Sequence, residues 1–428
     1  MIRHEVPVAS WPSGAPKTHA QPTPEAVTFD PLKHLQLEAP EHVKMLQRTQ
    51  PGIMDSDLVH FPVVPCQQHS QHSQHSQHSQ HSQQHSQQQQ QLQQYATSLR
   101  GEPVPFSGLA YTAPFRVLSD EGVRALRRVI DDNEKFATSV PHRIPKCLRG
   151  LGYRSNFVRD LNYSPELLRH LAACSGLPGL APHGMGMNLS QTNFGQIGTG
   201  AKVDQWHIDS VPYVLVILLS DATDMEGGDL QVARVDGASP EEVLNMVKAN
   251  KVPPEFIDTA KYPGPGYAIF MQGSRIAHGV TPVVSAHEPR LTVVNSYQTL
   301  NPFDPDKTVY RTFKTMDGEA APFEFARHAA WRARGQLDYL LRSNLFGKEK
   351  AIQRLLHGAQ AELLRARDLI SGRAVEDYPY DSEGDQAKEA AKAGAKSAAE
   401  ECGQGPTGKE ERGGGGGRGG GATLVSKL

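Results

Sequence analysis

The sequence predicts a mainly β protein with flanking helices, and three observations lead to that prediction. Short segments rich in β-branched and aromatic residues follow one another between residues 211 and 298, separated by Gly- and Pro-rich turns. Stretches with apolar residues at helical spacing precede and follow these segments. Other stretches are of low complexity and too poor in apolar residues to build a core. We therefore expect one β domain with helices beside it and long appendages.

The predicted strands lie on either side of clear turn signals. VPYVLVILLSD (211–221) is followed by a Gly-Gly turn (227–228), and a Pro-Gly-Pro-Gly turn (263–266) precedes YAIFMQ (267–272). RLTVVNSYQ (290–298) completes the series. Short strands joined by such turns are typical of barrels and sandwiches.

Helices are predicted on both sides of these strands. Ser119 can cap a helix that continues with apolar residues on one face, and Ser164-Pro165 can open a second. We expect both to buttress a sheet. Two further helical stretches, 322–346 and 348–372, form a C-terminal pair. The pair could be a lid, a dimer contact or simple packing against the barrel.

The candidate metal ligands are His207 and Asp209 in QWHIDS, and His278 in RIAHGVTPV. Residues two apart on a strand point to the same face, so one strand can present both His207 and Asp209 to one metal. His278 lies 69 residues after Asp209, which is far enough to cross a barrel and return. His287 is an alternative distal ligand, but its SAHEP context (285–289) indicates a turn and favours His278.

At these residues the chain resembles the Fe(II)/2-oxoglutarate-dependent dioxygenases, over roughly residues 100–320. The resemblance implies a double-stranded β-helix, or jelly-roll, with Fe(2+) held by His207, Asp209 and His278 as the catalytic centre. It also implies that Arg290, twelve residues after His278, pairs with the far carboxylate of 2-oxoglutarate. Thr292, on the same strand face as Arg290, could add a hydroxyl donor.

The same resemblance implies the reaction, which is oxidative decarboxylation of 2-oxoglutarate to succinate coupled to C–H hydroxylation of a substrate. Related halogenases have a small residue in place of the metal carboxylate, whereas Asp209 fills that position here. Hydroxylation or demethylation is therefore expected. Two alternatives stay open: a non-catalytic jelly-roll that binds a metal or ligand, and an interaction protein whose barrel is only a scaffold.

Several further residues are left outside the predicted site. HGMGMNLSQTNFG (183–195) could be an earlier barrel strand in which Asn188 or Gln191 faces the cofactor, and ordinary cross-strand hydrogen bonding explains them equally well. Trp206 is expected in the core, on the strand face opposite the ligands. Tyr153 and Arg154 stay outside the predicted site as well, again because ordinary structural roles explain them.

The remaining segments are predicted to lie outside the catalytic domain. Residues 1–66 are Pro-rich and expected to be partly ordered, whereas 67–94 is a Gln/His/Ser tract expected to be disordered. The Ala/Gly-rich tail, 381–428, is expected to be flexible. The histidines of the tract could chelate a metal weakly, although repeat expansion is the simpler explanation.

The tail ends in Ser426, Lys427 and Leu428, the peroxisomal address that an import receptor recognises. Four cysteines without metal or disulfide spacing, and the lack of an apolar run near eighteen residues, predict a soluble protein of a reducing compartment. We expect the peroxisome, or otherwise the cytoplasm. The net charge of −2 gives no reason to expect nucleic acid as a partner. The substrate stays open among acyl compounds, peptides and small metabolites.

Overall fold

The computed structural model describes residues 27–45, 63–65, 107–140, 143–177, 179–304 and 306–376, all within one compact unit. The Gln/His/Ser tract, the tail and Ser426, Lys427 and Leu428 lie outside these described residues. Disorder of the tract and peroxisomal import therefore stay predictions.

Among the described residues, ten strands form the larger sheet, and every pairing in it is antiparallel. Its main path runs through β1 (Val43–Met45), β3 (Leu109–Thr112), β14 (Tyr267–Met271), β10 (Tyr213–Leu218), β16 (Arg290–Thr299), β8 (Gln191–Gly195), β6 (Ile144–Leu148) and β5 (Thr138–Val140). In addition, β4 (Phe115–Arg116) pairs with β14, and β7 (Leu180–Pro182) pairs with β16.

A smaller antiparallel sheet faces the centre of the larger one. It consists of β11 (Glu226–Gly227), β15 (Ala277–Ser285), β12 (Leu230–Ala233) and β13 (Ile257–Ala260), with β9 (Lys202–His207) paired to β15. Side chains from both sheets line one cavity between them. This is a jelly-roll of the double-stranded β-helix type, as the sequence predicted. A separate two-stranded sheet joins β17 (Ala374–Glu376) to β2 (Val63–Pro65).

Successive side chains of the central strands point to opposite faces of the larger sheet. One face packs in an apolar core, and the other borders the cavity. On β10, Leu215 and Ile217 lie in the apolar cluster on the outer side of the larger sheet, whereas Val214 and Val216 line the cavity. A strand buried on both faces needs an uninterrupted apolar run, which explains the sequence YVLVIL. Strand β16 alternates in the same way: Arg290, Thr292 and Ser296 are on the cavity face, whereas Leu291 and Val293 are in the outer apolar cluster.

Helices cover the outer side of the larger sheet and follow the last barrel strand. Their bounds are α1 (Pro31–His34), α2 (Asp120–Asn133), α3 (Leu151–Arg154), α4 (Asn156–Asn162), α5 (Pro165–Ser175), α6 (Pro240–Lys248), α7 (Tyr310–Asp317), α8 (Ala321–Arg342) and α9 (Glu349–Ile370). As predicted, the Ser119 hydroxyl accepts the Gly122 N–H and the Ser164 hydroxyl accepts the Leu167 N–H. No helix in the described part of the chain is long and apolar enough to cross a membrane.

The C-terminal pair, α8 and α9, packs against the barrel. Phe325 and Ala329 of α8 and Leu369 of α9 lie in the apolar cluster that also contains barrel residues. A buried polar network holds the pair in place, because Asp306 accepts hydrogen bonds from His328 at 3.0 Å and from Arg365 at 2.9 Å. The sequence left a lid, a dimer contact and packing against the barrel as possible roles for the pair. The contacts among the described residues are those of packing.

Candidate metal centre

His207 and His278 face each other because their strands pair. In the antiparallel register of β9 and β15, His278 is the partner of His207, and their ring centroids lie 4.2 Å apart. The Asp209 carboxylate lies beside both rings, with Oδ1 3.3 Å from His207 Nε2 and Oδ2 3.5 Å from His278 Nε2. Among the described residues, these three form the one group with ligand atoms all within 4.8 Å of one another.

Backbone carbonyls fix the orientation of both imidazole rings. His207 Nδ1 donates to the Gln205 carbonyl at 2.6 Å, and His278 Nδ1 donates to the Ile276 carbonyl at 3.0 Å. When the Nδ1 atom carries the proton, the Nε2 lone pair is free to bind a metal. Both Nε2 atoms point to the Asp209 carboxylate, so the site presents two nitrogen ligands and one oxygen ligand.

Asp209 differs from its predicted position on a strand. Strand β9 ends at His207, and Asp209 lies in the loop that follows. Its backbone N–H donates to the Gly273 carbonyl at 3.0 Å, which holds this loop against the chain before β15. A Cβ atom on Gly273 would lie 2.0 Å from Asp209 Oδ2, so only glycine leaves room for the carboxylate.

The charges around the three side chains favour the protonation states that a metal needs. Burial, together with the charge that His207 would carry, lowers the pKa of His278 to about 4, and the nearby Asp209 only partly opposes this. Burial alone would raise the pKa of Asp209, but His278, His207 and Arg143 outweigh it and hold the pKa well below its usual value. The histidine is therefore neutral and the carboxylate ionised near pH 7.

Arg290 enters the same cavity from β16, with only 1% of its surface exposed. Its Nη1 donates to the Thr292 hydroxyl at 3.1 Å, and its Nη2 makes no hydrogen bond. The Tyr262 ring lies beneath the guanidinium, 5.8 Å from centroid to Cζ. A buried cationic donor without a partner is costly, and an anionic ligand would satisfy it.

The cavity holds about 800 Å³ of space, its open mouth included. Its apolar lining consists mainly of Val214, Val216, Leu230, Met271, Val280 and Val294. Polar side chains line the cavity as well, and they include Asn188 and Gln191, which the sequence left undecided. Arg149, Asn193 and the α7 residues Thr312, Phe313 and Met316 also line the cavity and were not anticipated.

His287, Tyr153 and Arg154, which were also considered from the sequence, lie outside the site. His287 is exposed and bonds Asp224 through Nδ1 at 2.6 Å, away from the metal ligands. Tyr153 and Arg154 do not line the cavity, because Tyr153 bonds Glu324 and Arg154 packs its guanidinium over Phe136, 3.7 Å from the ring centroid.

Two local expectations were wrong. Trp206 is half-exposed over Gly279 and does not lie in the core, because the outer face of β9 is covered only in part. Of 183–195, only the last five residues form a strand (β8); Gly186–Asn188 is a 3₁₀ turn, and Ser190 has a left-handed backbone with φ 56°.

No family model matches the sequence, and no curated protein matches it. Solved structures do match. The α-ketoglutarate-dependent carbocyclase SnoK from nogalamycin biosynthesis is 14% identical, with 45% of this chain and 80% of SnoK covered at a TM-score of 0.33. A prolyl-4-hydroxylase from Pseudomonas putida is 15% identical, with 45% and 93% covered at 0.29.

A 2OG-Fe(II) oxygenase family oxidoreductase from Burkholderia pseudomallei also matches, at 15% identity, with 41% of this chain and 79% of that protein covered and a TM-score of 0.29. The chain's own residues bring together, in one cavity, three side chains that could hold a metal and a buried arginine whose Nη2 has no hydrogen-bond partner.

Proposed function

We propose that the chain is an Fe(II)/2-oxoglutarate-dependent oxygenase that hydroxylates a C–H bond of an acceptor substrate. His207, Asp209 and His278 would hold Fe(II) on one side, a ligand set that suits this metal and leaves positions open for other ligands. Bound there, Fe(II) with 2-oxoglutarate and dioxygen supplies the oxidation, and succinate and carbon dioxide are the co-products.

The buried Arg290 is the observation that carries this proposal. Its unpaired Nη2 lies in the same cavity as the metal ligands, so a molecule that reaches both must have an anionic group at one end and metal-binding oxygens at the other. A keto dicarboxylate has this shape. The guanidinium would hold the distal carboxylate, and Thr292 would fix the guanidinium through its 3.1 Å hydrogen bond.

The surrounding side chains support the same use of the cavity. Val216 and Leu230 line it with apolar surface, which excludes water around the arginine and strengthens its attraction for a carboxylate. Asp209 supplies a carboxylate where a halogenase would need a vacant position for chloride. Hydroxylation is therefore the expected reaction.

Turnover of 2-oxoglutarate tests the proposal. Purified protein with Fe(II), ascorbate and air should convert 2-oxoglutarate to succinate slowly even without an acceptor, and His207→Ala and Asp209→Ala should abolish the conversion. Folded, metal-loaded wild-type protein that neither binds nor consumes 2-oxoglutarate would contradict it and favour a metal-binding module without catalysis.

A further inference from the structure

Helix α7 forms a wall of the cavity although it belongs to neither sheet. Thr312, Phe313 and Met316 lie on one helical face and all line the cavity. The hydroxyl of Ser210, the residue directly after the metal ligand Asp209, donates to the Thr312 hydroxyl at 3.1 Å. The helix therefore borders the metal centre, where an acceptor substrate has to lie.

A row of polar side chains connects α7 to the barrel wall. Arg149 Nη2 donates to Asp317 at the end of α7 at 2.8 Å and to Asn188 Oδ1 at 2.8 Å, and Arg149 Nη1 donates to Gln191. The Gln191 amide in turn donates to Asn193 Oδ1 at 2.9 Å. Because Arg149 and Asp317 are almost wholly buried, this ion pair fixes the helix against the cavity.

Each charged side chain that lines the cavity either forms an ion pair within the chain or already has a role in the proposed site. Arg149 is paired with Asp317, and Arg143 is paired with Asp204 at 3.0 Å. Asp209 belongs to the metal centre, and Arg290 is assigned to the co-substrate. A charged acceptor would thus lose its hydration without gaining a counter-ion.

Neutral polar groups, in contrast, are present on both walls. The amides of Asn188 and Gln191 and the hydroxyls of Ser296 and Thr312 line the cavity, and Phe313 and Met316 add apolar surface. Amides and hydroxyls can donate to or accept from an uncharged partner in either direction. Such a lining suits a molecule with hydrogen-bonding groups on a compact carbon skeleton.

We infer that the acceptor substrate is an uncharged polar molecule, held between α7 (Thr312, Phe313 and Met316) and the polar row of Arg149, Asn188 and Gln191. The inference rests on the proposed oxygenase function and names its substrate class. Phe313 and Met316 contact the carbon skeleton of the acceptor and limit its size, while the amides and hydroxyls orient it toward the metal.

The test measures succinate formation at saturating Fe(II) and 2-oxoglutarate in the presence of small-molecule cell extract. Ion exchange at pH 7 first divides the extract into neutral, anionic and cationic fractions. The neutral fraction should raise the basal rate at least tenfold. Stimulation by a charged fraction alone, or by no fraction, would overturn the inference. Loss of the basal rate itself would instead refute the oxygenase proposal.

Two neighbouring positions of α7 give a matched pair of variants. Met316→Glu places a charge on the cavity wall, and Thr315→Glu places the same charge one residue earlier on the exposed side. Met316→Glu should reduce the stimulation by the neutral fraction at least tenfold, and Thr315→Glu should leave it unchanged. Equal stimulation in both variants would overturn the inference. Ser296→Asp, on the barrel wall four residues along β16 from Thr292, repeats the test should Met316→Glu fail to fold.

Discussion

We predict that Arg290 lowers the stability of the unliganded protein and, at the same time, provides much of the affinity for 2-oxoglutarate. Its side chain is almost fully buried, and Nη2 has no hydrogen-bond partner. Leaving such a charged donor unsatisfied costs about 2 kcal/mol or more, whereas the bond from Nη1 to Thr292 returns about 1 kcal/mol. Arg290→Met, which keeps an apolar stem of similar length, should therefore stabilise the unliganded protein by roughly 1 kcal/mol.

The same substitution should greatly weaken the binding of 2-oxoglutarate. Two charge-assisted hydrogen bonds to the distal carboxylate contribute about 3 kcal/mol or more together, which corresponds to roughly 100-fold in Kd. Thermal melts with Co(II), with and without 2-oxoglutarate, measure both effects. Arg290→Met should melt on the order of 2 °C higher than wild type without 2-oxoglutarate and gain nothing when it is added.

The control for this prediction is Arg127→Met. Arg127 is a partly exposed arginine that pairs with Glu288 at 2.7 Å, far less buried than Arg290. This variant should keep the stabilisation by 2-oxoglutarate. The reasoning would be refuted if Arg290→Met melted several degrees below wild type and still gained stability from 2-oxoglutarate.

Two further substitutions have expected outcomes. Gly273→Ala would place a Cβ 2.0 Å from Asp209 Oδ2, so the carboxylate has to move, and Co(II) affinity measured by titration should fall at least about tenfold; unchanged affinity would contradict this. Asp306→Asn removes one charge from a buried network, so it should lower the free energy of unfolding, measured by urea denaturation, by about 3 kcal/mol or more. Asp368→Asn, on the exposed side of α9, is the control and should have little effect. Equal losses in the two variants would contradict this reading.

The candidate site could be predicted from the sequence largely because strand geometry is local. The two-residue period of β16 puts Arg290 and Thr292 on one face, and turn signals separate the strand of His278 from the loop of His287. Even here the pattern did not show that β9 ends at His207. The position of Asp209 depends on Gly273, where the sequence shows a break between strands but nothing that indicates contact with the distant Asp209.

The acceptor wall could not be predicted because long-range contacts create it. Arg149 and Asp317 are 168 residues apart, and neither has a neighbour in the sequence that marks it as part of a cavity. Helix α7 was not among the helices predicted from the sequence, so the surface that it covers could not be predicted either. Likewise, Asn188 and Gln191 share a segment whose first half turned out to be a 3₁₀ turn rather than a strand.

Anaerobic addition of Fe(II) and then 2-oxoglutarate to the full-length protein tests the central claim most directly. A keto acid chelated to Fe(II) gives a weak visible charge-transfer band. The band should appear in the wild-type protein, disappear in His207→Ala, and need far more 2-oxoglutarate in Arg290→Met. Absence of the band in folded, metal-loaded wild-type protein would contradict the assignment of His207, Asp209, His278 and Arg290 to one oxygenase site.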